Sequence, residues 1–307
     1  MSEHVEALPA QGTSSESVSA NISWRDFLEL TKPRVVAMMI LTSVIGMLLA
    51  SPGVPGWEVL LYGNLGIALL AGAAAVVNHV VDQKIDTVMA RTRKRPVATG
   101  KISPLDALVF ATVLAVSGMA ILVWQVNSLT AWLTLASLVG YAGVYTLFLK
   151  RMTPQNIVIG GLAGAMPPLL GWTAVTGQVE GHGLLLVLII FAWTPPHFWA
   201  LAIHRKEEYA KAGIPMLPVT HGNKYTELHI LLYTLMLLAV SLLPFVTGMS
   251  GLIYLVGALA LGLRFLQYAV RLLKGDDRRV ALNTFKYSIT YLMALFVVLL
   301  VDHFVFF

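Results

Sequence analysis

Runs of apolar residues long enough to cross a bilayer recur nine times along this 307-residue chain, at about 34–50, 59–81, 105–124, 129–148, 156–175, 184–203, 228–248, 251–273 and 287–306. A helix covers about 30 Å of hydrocarbon with roughly 20 residues. Inside lipid every backbone N–H and C=O must be paired within the chain, which leaves only helices and closed barrels. Runs this long, without two-residue alternation, select helices. The expected fold is therefore all-α: a polytopic membrane bundle of about nine transmembrane helices, forming one domain over residues 24–307. Only 12% of the residues are charged and the mean hydropathy is +0.75, against roughly 25% charged in soluble domains. This composition excludes an ordinary soluble enzyme. The absence of cysteine excludes disulfides, thiolate-held metal clusters and covalent c-type haem.

The net charge of +5 invites a nucleic-acid reading, but its distribution argues against one. With the N-terminus placed in the cytoplasm, the loops near 82–104, 149–155, 204–227 and 274–286 are cytoplasmic too. All 21 Lys and Arg then lie in those loops, in the N-terminal segment, or in the cytoplasmic halves of adjoining spans. The opposite loops carry Glu58, Glu180 and His182 but no Lys or Arg. This is the positive-inside pattern, so the basicity reports topology and implies no nucleic-acid partner. Nine spans place the C-terminus outside. Residues 1–23 are polar and Ser/Glu-rich with no apolar core, and are expected to be a disordered cytoplasmic tail.

The segment NHVVDQKIDTVMARTRKRPVATGK carries the chemistry. Asn78, Asp82 and Asp86 are spaced i, i+4, i+8 and share a face if the helix continues. Two carboxylates one turn apart repel each other and call for a cation. With only oxygen ligands on offer, a hard ion such as Mg²⁺ suits them, its shell completed by water and phosphate oxygens. Arg91, Arg93, Lys94, Arg95 and Lys101 follow at once, and guanidinium forks beside a metal-holding acid pair suit a diphosphate. The bland alternative is a helix that ends in acids beside topologically required bases. His79, next to Asn78, should face about 100° away.

N-x-x-x-D-x-x-x-D at the end of the second of nine spans, followed by R-x-R-x-R-P, resembles the UbiA family of intramembrane prenyltransferases. The resemblance covers nearly the whole chain from about residue 24. It implies a nine-helix fold in which Asn78, Asp82 and Asp86 hold the Mg²⁺–diphosphate of an isoprenoid donor and Arg91, Arg93 and Arg95 bind diphosphate. Most members carry a second D-x-x-x-D at the end of the sixth span. This chain instead reads WTPPHFWALAIHRKEEYAKAGIPMLP, which with Thr31-Lys32-Pro33-Arg34 and GGLAGAMPPLLGW is similar to the haem-farnesylating branch of the family. That similarity implies farnesyl diphosphate and haem B as substrates, haem O as product, a bacterial inner-membrane location, and hand-over to a haem A synthase or a terminal oxidase.

The residues of that stretch fit the same reading less sharply. Pro195-Pro196 should interrupt the sixth helix and Pro167-Pro168 the fifth, and freed backbone inside a bilayer lines cavities. His197 lies past the first break, and an ionisable residue there marks a candidate site. Its imidazole suits a haem iron, and Trp199, with Trp193 and Phe198, offers an apolar porphyrin slot. A histidine bonded to a freed carbonyl, among packing aromatics, is the plainer alternative. With the second acidic motif missing, Glu207 and Glu208 are candidates to replace it. Arg205 and Lys150 are candidates to bind diphosphate directly, with Tyr145 beside Lys150 and Asn156 able to cap or reach the site. Two rivals stay open: a sister prenyltransferase for a quinone-type aromatic acceptor, and a transporter, which would also break helices.

Overall fold

The computed structural model describes residues 22–275 and 278–306. The expected N-terminal tail lies, but for its last two residues, outside them. The described chain is helical: α1 Trp24–Leu30, α2 Pro33–Leu49, a π-helical turn at Val59–Gly63 leading into α3 Asn64–Val81, and the short α4 Gln83–Asp86. There follow α5 Pro104–Gln125, α6 Ser128–Val139 running into a π-helical stretch Gly140–Leu149, and α7 Lys150–Met152. The fifth span is split into α8 Asn156–Ala165 and α9 Pro167–Thr176, and the sixth is α10 Gly181–His204. Two short helices, α11 Lys206–Lys211 and α12 Leu217–Thr220, lead to α13 Gly222–Val246, α14 Leu252–Lys274 and α15 Arg278–Phe306.

Eight of these segments are long and apolar enough to cross a membrane, and a ninth follows if α1 and α2, bent by 55° at residues 31–32, form one span. The bend has a local cause. Proline disfavours the α region for the residue before it, and Lys32, before Pro33, takes a left-handed conformation with φ 52°. The helices pair α3 with α5, α2 with α9, α10 with α13 and α15, and α13 and α15 with α14. The α2–α9 crossing is made by glycines on both sides. A Cβ on Gly46 would lie 2.0 Å from Pro168 O, and one on Gly171 would lie 2.0 Å from Ser43 O. Close backbone approach of this kind drives helix association in lipid, where burial against lipid tails yields nothing.

The two proline pairs behave differently. Pro167-Pro168 divides the fifth span as expected, with Met166 between the halves. Pro195-Pro196 does not interrupt the sixth: α10 runs unbroken from Gly181 to His204 with both prolines inside it. Each proline removes a single donor, and in a buried helix the freed groups are absorbed locally. Here α10 is gripped between α13 and α15.

Candidate active site

Asn78 lies in the last turn of α3 and Asp82 at its C-terminal cap. The helix axis shifts at Asp82 and resumes as α4, but the backbone bonds Asp82 N to Asn78 O (3.0 Å) and Asp86 N to Asp82 O (2.8 Å) carry the register across. The three side chains therefore stay together, and all are buried. Asn78 Nδ2 donates to Asp82 Oδ2 at 2.8 Å and to Thr146 Oγ1 at 3.4 Å. Each of the three residues also holds a cation: Lys150 Nζ sits 2.5 Å from Asp82 Oδ2, Arg95 Nη1 sits 2.6 Å from Asp86 Oδ2, and Lys32 Nζ donates to Asn78 Oδ1.

The loop after α4 brings Arg95 back onto Asp86. It is folded by its own turns, Thr92 N to Met89 O (3.0 Å) and Arg95 N to Thr92 O (3.0 Å), and Thr92 Oγ1 donates to Asp86 O at 3.1 Å. Met89, Val97 and Ile102 anchor it by burying their side chains in two separate apolar clusters, and Gln83 Nε2 ties it to α4 through Val97 O at 3.0 Å. Lys150 is aimed from the other side. The π-helical stretch adds residues to the end of the fourth span, a distortion common at functional sites. It stacks Tyr141 on Tyr145 with centroids 5.5 Å apart, and Tyr145 fills the space above Gly160, where a Cβ would meet its ring at 2.1 Å. Asn156 caps this turn, donating from Nδ2 to Lys150 O at 3.3 Å.

The second half of the site comes from the end of α10 and from α11. Arg205 caps α10, and Tyr209 lies within electrostatic reach of Arg91, Arg205 and Glu208, and of Tyr145 on the first half. Burial pushes the Tyr209 phenol above its usual range while the two arginines pull against it. Among the described residues no three of His, Asp and Glu converge into a metal cluster; Glu208 Oε2 is buried without a hydrogen-bond partner. Of the expected arginines, Arg95 touches a carboxylate and Arg91 is near enough to feel Asp86. Arg93, like Arg91, is exposed.

His197 is placed by α15. Its Nδ1 lies 2.6 Å from Ser288 Oγ, and its ring stacks on Trp193 at 4.1 Å and against Phe285 at 4.6 Å. Ser288 has one hydroxyl proton and gives it to Phe285 O at 2.6 Å. It must therefore accept from His197, which fixes the Nδ1–H tautomer and leaves the lone pair on Nε2. Trp199 does not share this pocket. Two residues further along a helix lie on the opposite flank, and Trp199 is fully buried against Tyr233 and His229 of α13.

Two residues carry no functional weight in the sequence alone. Lys32 lies in a motif notable only for its resemblance, 46 residues from the Asn78 it contacts, and only its preceding position to proline marks it. His79 is buried beside the site with neither ring nitrogen bonded. It lies within electrostatic reach of Lys32 and Arg95.

The donors suit a divalent metal. Asp82 Oδ1 is buried and unpartnered, a costly arrangement that a cation relieves, and two carboxylates with an amide oxygen leave positions for water and phosphate.

A bundle of membrane-length helices with this acid pair at one end, ringed by cations, suits an enzyme that acts on an anionic substrate at the membrane. The chain belongs to the UbiA prenyltransferase family, whose model matches residues 39–299. It is 90% identical over 302 residues to protoheme IX farnesyltransferase of Marinobacter nauticus, covering 98% of this chain and 99% of that one. To the protein of that name from Hahella chejuensis it is 69% identical, covering 94% and 97%. Among solved structures, a digeranylgeranylglyceryl phosphate synthase shares the fold with a TM-score of 0.79 at 19% identity, over 91% of this chain and 98% of that one. A UbiA homologue from Archaeoglobus fulgidus bound to GPP and Mg²⁺ does so with a TM-score of 0.62 at 14% identity, over 89% and 99%.

Proposed function

We propose that this protein converts haem B to haem O, transferring the farnesyl group of farnesyl diphosphate to a haem vinyl group with addition of water and release of diphosphate. The acceptor rests on the relatives named protoheme IX farnesyltransferase. The observation that carries the chemistry is the buried Asp82–Asp86 pair with a cation on each carboxylate and an unpartnered oxygen on Asp82.

Asp82, Asp86 and Asn78 are the residues that would hold Mg²⁺, which when bound would neutralise charge on the diphosphate and lower the barrier to its departure. Lys150, Arg95, Arg91 and Arg205 form a run of neighbouring charges and bind diphosphate oxygens as the bond from farnesyl carbon to oxygen breaks. Tyr141 and Tyr145 wall the site with aromatic faces, which favour a neighbouring allylic cation. The lipid-embedded walls keep water from that cation until the vinyl carbon has attacked it. Water then adds to the resulting carbocation on the haem side chain and loses a proton. His197, held as the Nδ1–H tautomer by Ser288, presents Nε2 as the nitrogen able to orient the porphyrin through its iron. The site faces the cytoplasm of a bacterial inner membrane, a reading that the basic loops at that end support.

The test is purified protein in nanodiscs with haem B, farnesyl diphosphate and Mg²⁺, read by mass spectrometry of the haem. The expected product carries one farnesyl and one water more than haem B. Unchanged haem beside a prenylated small aromatic acceptor would retain the family and discard haem.

A further inference from the structure

The three oxygen ligands of the acid motif are each held by a side-chain cation, and one of those cations is in an unusual place. Lys32 is the one non-glycine residue with positive φ among the described residues, a conformation disfavoured for L side chains. Its backbone is pinned there. Lys32 N donates to Glu29 O at 3.1 Å, and Lys32 O accepts from Val35 N at 2.9 Å and Val36 N at 3.1 Å. The turn between α1 and α2 thus fixes its Cα beside Asn78 and leaves only the four-carbon stem free to move. The Nζ it presents goes to Asn78 Oδ1, while Asn78 Nδ2 is committed to Asp82 Oδ2 and Thr146 Oγ1. An amide ligates a metal only through its oxygen, so Lys32 occupies the single atom that Asn78 can offer.

We propose that Lys32 is an exchange cation: its ammonium cedes Asn78 Oδ1 to a divalent cation and moves onto the diphosphate that arrives with it. This rests on the metal–diphosphate reading above. Charge supports it. Asp82 and Asp86 face Lys32, Lys150 and Arg95, an excess of one positive charge. Arg91, within reach of Asp86, adds to that excess, so an arriving diphosphate meets more positive charge than the two carboxylates neutralise. A residue that merely braced Asn78 would have no reason to be a long, mobile cation on a strained turn.

The experiment measures two affinities in nanodiscs: Mn²⁺ alone, by electron paramagnetic resonance, and unreactive farnesyl thiodiphosphate with Mg²⁺, by calorimetry. In Lys32→Met the competing ammonium is gone, so Mn²⁺ should bind at least about threefold tighter while the thiodiphosphate binds at least about tenfold weaker. Lys32→Gly keeps the left-handed turn without strain and should repeat both shifts, whereas Lys32→Arg should move both back toward wild type. If both affinities weaken together, Lys32 is a brace and the proposal is overturned. Two unchanged affinities overturn it equally. Wild-type protein that binds no Mn²⁺ would remove the metal–diphosphate reading itself, and this proposal with it.

Discussion

Asn78, Asp82 and Asp86 are legible as a group in the sequence because helical periodicity is a local property, and four-residue steps survive even the kink at Asp82. Arg95 and Lys150 are legible as candidate bases, but which acid each meets is not, and Lys32 is not legible at all, because Lys150 is 68 residues from Asp82 and Lys32 is 46 from Asn78, separations that only folding brings together. Replacing Asp82 by Ala removes one carboxylate and leaves Lys150 buried without its partner. Turnover should fall by at least about 10²-fold in protein that still inserts normally; near-wild-type turnover would sink the diphosphate assignment. His197 was legible as a candidate, but its tautomer depends on Ser288, 91 residues away. Ser288→Ala deletes the acceptor for Nδ1–H and should weaken haem binding by roughly tenfold, leaving Mn²⁺ affinity unchanged. A spectral titration with haem reads this. Equal binding by the two proteins would exclude His197 Nε2 from the haem site.

At the level of elements, span positions follow directly from hydropathy, while their internal geometry does not. The fifth span breaks at Met166 as its prolines predict, yet the sixth carries two prolines without a break, because the neighbours of α10 decide whether freed carbonyls matter. The π-helical stretch at Gly140–Leu149 is likewise a tertiary outcome, since its local sequence reads as ordinary helix. Spans eight and nine are joined at the end far from the site by a buried charge. Asp302, fully buried in α15, accepts from Gly251 N at 2.5 Å and Tyr254 N at 3.0 Å. It thereby caps the N-terminus of α14, where a carboxylate is favoured. Asp302→Ala should cost about 1–3 kcal/mol through amides left unpaired. This appears as a lower melting temperature in detergent with unaltered metal binding, and an unchanged melting temperature would show that other groups satisfy those amides.

For the whole molecule, the one-sided distribution of Lys and Arg predicts orientation. Because the chain contains no cysteine, single cysteines report accessibility cleanly. In intact cells a membrane-impermeant maleimide should label Gln178→Cys and spare Thr99→Cys until the membrane is permeabilised, both positions being exposed. The reverse pattern would invert the topology and put the acid motif outside. The sequence by itself determined the membrane class, the number of apolar runs, the acid motif and the loops that carry charge, because each depends on composition or on spacing within a few turns. Only the tertiary structure decided which cations meet those acids, that α10 stays whole through its prolines, and that Trp199 and His197 face apart. Those outcomes depend on contacts between residues far apart in the chain, where side-chain packing, not local preference, sets the geometry.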